Sequence, residues 1–199
     1  MKNTTTTSAT VTTSIPHRSS RAAFRPWWPW LLTAAAFPPS GLVAHAVAGR
    51  VDSAPAALFA GAIAGTGIGA AQWGLLRRRG VTLRWIGATA AGLSAGLAVG
   101  AALVSYRTDI SSLVLMGMFS GLGLGIAQGI TIGSARRALT WTLATAALWP
   151  LGWIVTTAAG INVDEQWVNF GATGCITFAF LQSTIVRSLV TPTPNTVQS

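Results

Sequence analysis

The chain has 199 residues, of which 51% are hydrophobic and only 9% charged, with a mean hydropathy of +0.54 and a formal net charge of +9. A soluble domain carries about 25% charged residues, and the acids here are four: Asp52, Asp109, Asp164 and Glu165. A water-soluble globular domain, an acid–base enzyme of ordinary type and a disordered chain are excluded, which leaves a multi-pass membrane protein.

Residues 1–20 hold seven Thr, four Ser and no acid, and no apolar core of a secretory signal precedes residue 27. Residues 1–26 therefore read as a disordered cytoplasmic tail, the alternative being an organellar transit peptide. Six hydrophobic segments follow, at roughly 27–49, 54–76, 84–106, 111–135, 139–160 and 166–188. Each has about the 20 residues needed to cross hydrocarbon, and the gaps are short, as helical hairpins require. Residues 189–199, interrupted by Pro192 and Pro194, read as a second disordered cytoplasmic tail.

The charges sort by side. With the N-terminus inside, eleven of the thirteen basic residues fall in cytoplasmic segments, including Arg77, Arg78, Arg79, Arg84, Arg136 and Arg137. The opposite face receives Arg50, Arg107 and all four acids. Such a bias sets orientation, so both termini are expected in the cytoplasm. The positive charge is then a topology signal, with anionic lipid as a secondary partner and no nucleic acid. Trp27, Trp28, Trp30, Trp85 and Trp141 fall at predicted cytoplasmic helix starts and Trp167 at the opposite boundary, a pattern that reads as interface anchoring.

The membrane domain, 27–188, repeats itself. Trp30, Trp85 and Trp141 lie 55 and 56 residues apart, Gln72, Gln128 and Gln182 lie 56 and 54 apart, and Asp52, Asp109 and Asp164 lie 57 and 55 apart. Each unit, at about 27–79, 80–137 and 138–188, reads Trp, helix, Asp, second helix, Gln, Arg. Two spans per unit give all three units one orientation, with the symmetry axis along the membrane normal. The expected fold is an all-α transmembrane bundle of six helices built from three parallel two-helix repeats around a pseudo-threefold axis.

Small residues precede each Gln at offsets of 11, 7 and 3: Gly61, Gly65 and Gly69, then Gly117, Gly121 and Gly125, then Gly171, Cys175 and Ala179. With the Gln they fall within an arc of about 80° on a helix. Small faces let helices approach closely in lipid, so the Gly-rich second helices are expected at the centre of the bundle. Gln72, Gln128 and Gln182 read as polar staples between helices, or to carbonyls freed by Pro39 or Pro150. The sharper alternative is an axial polar ring lining a constriction. Asp52, Asp109 and Asp164 read as helix N-caps with a local Arg in two copies, or as an outer acidic ring that gathers cations.

His45 is the only histidine within a span; it reads as a hydrogen-bonded or interface-directed side chain, with a metal or tetrapyrrole ligand or a proton-sensitive gate as the weak alternatives. It has no repeat counterpart, and one ligand makes no metal site. Cys175, the sole cysteine, allows no intrachain disulfide. No carboxylate pair, His-Glu-x-x-His or nucleophile–base pair occurs in a span, so neither catalysis nor a cofactor is expected.

The string Gly65-x-x-x-Gly69-Ala-Ala-Gln72-Trp73-Gly-Leu-Leu-Arg77-Arg78, followed by Trp85, resembles a group of uncharacterised bacterial multi-pass membrane proteins with tandem hairpins and a Gly…Gln-Trp-x-x-Leu-Arg signature. The resemblance covers roughly 28–188. The later copies depart from it, with Gly129 and Ser183 after the Gln. It implies architecture and no activity. Three functions stay open: a non-enzymatic scaffold or accessory subunit that meets lipids and other membrane proteins, a small-solute channel or transporter along the axis, and a pigment or haem protein using His45.

Overall fold

The computed structural model describes residues 28–190, with side chains through Val186. The expectations for the tail at 1–26, for Trp27 and for 191–199 lie outside the described residues. Every regular element described is helical. A 3-10 helix, Trp28–Ala36, leads into α1, Phe37–Ala48, and then come α2, Ala54–Leu76, and a short 3-10 turn, Arg77–Arg79. The rest is α3, Arg84–Leu103, α4, Ile110–Ile130, α5, Ala135–Ala158, and α6, Ala172–Val190. Five helices are long and apolar enough to cross a membrane, counting Trp28–Ala48 as one, and a sixth apolar stretch, Ala172–Val186, is shorter.

The first span changes type at Pro38 and Pro39, which occupy the first turn of α1. Neither proline can donate to a carbonyl four residues back, and the chain before them winds as a tighter 3-10 helix. The start of α6 differs from its expected position. Helix was expected from 166, but residues 166–171 run without regular structure. Gln166 there takes φ of +52°, and Val168, Asn169 and Phe170 turn inward, at 1%, 5% and 1% exposure. Non-helical backbone at this depth is tolerable only where protein or a cavity surrounds it.

The six helical segments form a circle. Each packs on its neighbours in sequence, and α6 closes the circle against the first 3-10 helix and α1. The expectation of central Gly-rich helices is corrected here, because α2, α4 and α6 form no comparable interface with one another. The Gly stripes face sideways instead. A Cβ on Gly61 or Gly65 would come within 2.6 or 2.7 Å of backbone in α3, and Gly69 abuts Thr89 and Ile86. Gly117, Gly121 and Gly125 meet Pro150, Thr145 and Thr142 of α5 in the same way. The close approach is the one expected of small residues in lipid, but it seals α2 to α3 and α4 to α5. Gly171 lies against Ile161 and Thr156, while Cys175 and Ala179 are buried at 1% and 0% exposure.

With no helix on the axis, large side chains fill the middle. Phe37, Trp149, Phe170 and Phe178 form one aromatic cluster, with ring centroids 5.0–5.9 Å apart. Leu93, Leu97, Ile68 and Leu124 complete the same core. The outward faces are apolar as well: Val47, Phe59, Ile130 and Leu139 are 60–81% exposed. A surface of that kind on every side suits acyl chains rather than water.

Candidate functional site

The polar residues of the interior gather in one layer. Gln72, Gln128 and Gln182 are 0%, 0% and 1% exposed. Trp85 Nε1 donates to Gln72 Oε1 at 3.0 Å, and Trp141 Nε1 donates to Gln128 Oε1 at 2.8 Å, each across 13 residues. Gln128 Nε2 donates both to Gln72 Oε1 at 2.9 Å and to Thr89 Oγ1 at 2.8 Å. The Thr89 hydroxyl in turn donates to the Trp85 carbonyl at 2.7 Å. Side chains of α2, α3, α4 and α5 are thus wired into one circuit.

Gln182 of α6 and Trp30 of the first span are wired loosely. Gln182 Nε2 reaches Thr145 Oγ1 at 3.5 Å, and Gln182 Oε1, Trp30 Nε1 and Gln72 Nε2 are buried without a partner. Trp30 stays in the cluster through its edge contact with Trp141, 6.2 Å between centroids. The reason is local. Thr89 and Thr145 follow their Trp by four residues, whereas Thr33 follows Trp30 by three and donates to its carbonyl at 2.7 Å. Three residues make one turn of a 3-10 helix, so the first span keeps the Trp–Thr face in a different register.

The Gln layer is therefore a set of staples between helices. Its partners are indole, hydroxyl and amide groups, and the carbonyls freed by Pro39 and Pro150 are not among them. One turn away lie Ile68, Leu124 and Phe178, all at most 1% exposed, and one turn the other way Leu76, Ile132 and Val186, beside the Trp cluster, line a cavity of ≈ 200 Å³. The reading of Trp30, Trp85 and Trp141 as interface anchors is corrected: they are 4%, 2% and 0% exposed. Trp28, at 56%, keeps an anchor's exposure.

The three aspartates have three different local structures. Asp109 is a true N-cap, its Oδ1 accepting from Ser112 N at 3.1 Å. The Ser111 and Ser112 hydroxyls also donate to it, and Arg107 lies 3.8 Å away. The Ser111 and Ser112 bonds first, and Arg107 after them, hold this carboxyl well below the ordinary carboxylate range. Asp52 is corrected: Ser53 caps α2, accepting from Ala56 N at 3.4 Å. Asp164 is corrected too, since α6 begins eight residues later and the Asp164 N–H donates to Asn162 Oδ1 at 2.8 Å. All three are exposed, and no shared ring of contacts joins them. The local Arg pairing holds for Arg107 alone, because Arg50 turns to another loop.

That loop contains the residue sequence reasoning missed. Arg50 donates to Gln166 Oε1 at 3.1 Å and to the Asp164 carbonyl at 2.7 Å. Gln166 O accepts from Val51 N at 3.0 Å, and Gln166 Nε2 donates to the Tyr106 carbonyl at 2.7 Å. One side chain ties the three loops of this end together. Its signal in the sequence was an amide displaced into a loop beside Trp167, in a copy whose Arg is replaced by Asn162.

His45 stacks on Trp167, with centroids 4.3 Å apart, and its Nδ1 is buried without a partner. Among the described residues no group of three His, Cys, Asp or Glu is placed to hold a metal. The Cys175 thiol donates to the Phe170 carbonyl at 3.3 Å and is free of any disulfide. Comparison with protein families, with curated proteins and with solved structures finds no match.

Proposed function

We propose that this chain is a non-enzymatic membrane scaffold or accessory subunit, lodged in a bacterial cytoplasmic membrane with both termini in the cytoplasm. The observation that carries the reading is the buried amide layer, with apolar side chains one turn above and below it. A solute pathway needs hydrated, multi-site polar lining, and the amides at this depth are at most 1% exposed, with Gln72 and Gln128 bonded to each other. What such a bundle offers to partners is its outer surface, so membrane lipids and other membrane proteins are its proposed ligands, with no cofactor.

The three-unit, pseudo-threefold organisation belongs to the same proposal. It is supported by two Trp-to-Gln bonds of equal separation and by the meeting of the third Trp with the same cluster. The orientation draws on Arg84, Arg136 and Arg137, which sit in the first turns of α3 and α5. Cations there oppose the helix dipole by about 0.3–1 kcal/mol each, so local helix energetics does not explain them, whereas a cytoplasmic preference does. The likeness to bacterial tandem-hairpin proteins supports the bacterial placement.

The test is twofold. Purification of the tagged full chain from native membranes is expected to bring down a stoichiometric membrane protein. Proteoliposomes holding the purified chain are expected to show no more flux of water, small neutral solutes or monovalent ions than empty vesicles. Flux that Gln128→Leu abolishes would overturn the proposal in favour of a channel.

A further inference from the structure

At the end of the bundle that carries the acids, the circle of helices has a gap. α2 and α4 begin within two residues of Asp52 and Asp109, whereas α6 begins eight residues after Asp164. Where two helical turns are missing, the unwound segment borders a cavity of ≈ 470 Å³ between α1 and α5, within the size range of small-ligand pockets, about 300–1,000 Å³. Leu42, Trp153 and Phe170 give it an apolar body, and Asn169 and Glu165 give it polar points. Departure from a repeat at one position, with an unwound span beside a pocket, is the pattern membrane proteins use for ligand sites.

The polar points have unused capacity. Asn169 is 95% buried, being 5% exposed, and it spends Nδ2 on the Phe37 carbonyl at 3.0 Å while Oδ1 has no donor. Trp153 and Thr156, 1% and 0% exposed, offer the cavity no accessible polar atom, the Thr156 hydroxyl being turned to Gly171 N at 3.1 Å. Glu165 is exposed at the rim and has no ion pair, the one salt bridge among the described residues being Arg107–Asp109. The complementary ligand has a long apolar part and a hydrogen-bond-donating cation at its head.

We propose that this cavity binds one phospholipid with an ammonium headgroup. One acyl chain lies along Leu42, Trp153 and Phe170, and the ammonium faces Glu165. The placement is consistent in depth, since loop residues form the rim and α1 and α5 the floor. An anionic headgroup would meet an unneutralised carboxylate. The site stands apart from the scaffold reading: solute flux would remove that reading and leave the lipid site as it is.

The test is native mass spectrometry of the full chain after delipidation and exposure to equimolar phosphatidylethanolamine and phosphatidylglycerol of identical chains. One phosphatidylethanolamine per chain is expected to stay bound, favoured severalfold over phosphatidylglycerol. Leu42→Trp fills the cavity from a side chain that is 59% exposed and is expected to abolish retention. Leu143→Trp, equally exposed and away from the cavity, is expected to leave it intact. Glu165→Gln is expected to bring the two lipids to equal retention. Equal retention by the wild type and Leu42→Trp, a preference for phosphatidylglycerol, or a preference unmoved by Glu165→Gln overturns the proposal. If Leu42→Trp does not fold, the Glu165→Gln comparison decides alone.

Discussion

The three glutamines occupy corresponding sequence positions but differ in what they hold, so removing them one at a time ranks the hydrogen bonds. Gln128 makes three side-chain bonds, to Trp141, Gln72 and Thr89, at 2.8–2.9 Å. Gln72 makes two, both through Oε1, and Gln182 makes one of 3.5 Å. Interhelical bonds in lipid average about 0.6 kcal/mol and reach about 1.7, and each donor left buried without a partner adds about 1–3 kcal/mol. Gln128→Leu strands the Trp141 N–H and is expected to cost about 3–4 kcal/mol, and Gln72→Leu, which strands the Trp85 N–H while Gln128 keeps Thr89, about 2–3. Gln182→Leu breaks one long contact and relieves an unpaired oxygen, so its expected effect is below about 1 kcal/mol. Reversible unfolding in mixed micelles, followed by circular dichroism, measures all three. A double-mutant cycle of Gln72→Leu with Trp85→Phe isolates the indole bond and is expected to show coupling near 1 kcal/mol. Equal losses at the three positions, or the largest at Gln182, would refute the reasoning, because only packing volume would then be at work.

Three further outcomes follow from other parts of the molecule. Gly121→Ala and Gly65→Ala drive a methyl to within 2.5 and 2.7 Å of helix backbone, and each is expected to destabilise by about 1–3 kcal/mol. Gly74→Ala and Gly87→Ala, with open space around the new methyl, are expected to be neutral or to stabilise by up to about 1 kcal/mol in the same unfolding assay. The Asp109 carboxyl, held low by its serines, has a folded pKa below its unfolded value, so its contribution is complete above about pH 4 and fades as the pH falls toward the folded value. The difference in melting temperature between wild type and Asp109→Asn is accordingly expected to shrink as the pH is lowered from 6 to about 2.5. Gln166→Ala removes the side-chain bonds to Arg50 and Tyr106, and faster amide exchange confined to the loops around 50, 106 and 164 is the expected readout.

Much of this architecture can be read from the chain because lipid makes strong demands on sequence. Spans must be long and apolar, and small residues must line close approaches. Both rules placed α2 through α5 and the Gly stripes on helix interfaces. The partner of each stripe is a different kind of fact. Gly65 needs a backbone within a few ångströms, and nothing in its spacing tells α3 from α4. The tryptophans show the same limit. An indole at a span's end serves equally as an interface anchor or as a donor to a buried amide, and only the meeting of Trp85 with Gln72 decides. The late start of α6 has a fainter trace: Asn162 for Arg and Glu165 beside Asp164 mark the third copy as divergent, but the unwinding depends on Gln166 finding Arg50 and Tyr106 from other loops.

The loose wiring of Gln182 and Trp30 leads to one more expectation. At two interfaces the Gln of one helix is bonded by the Trp of the next along the chain. Gln182 lies on α6, which packs on the first span, and there Trp30 Nε1 and Gln182 Oε1 stay unpaired. Unpaired buried polar groups lower the cost of local opening, so the seam between α6 and the first span is expected to open before the rest. Cys175 on α6, 1% exposed, supplies the probe. In mild denaturant its maleimide labelling is expected to proceed through an opening several kcal/mol cheaper than global unfolding. A Cys175→Ser, Ser120→Cys variant carries its thiol at the α3–α4 interface, at a position 0% exposed and packed on Gly96, and is expected to label only with global unfolding. Matching opening free energies at the two positions would mean that the ring unfolds as one unit, and that the missing Trp30–Gln182 link has no energetic consequence.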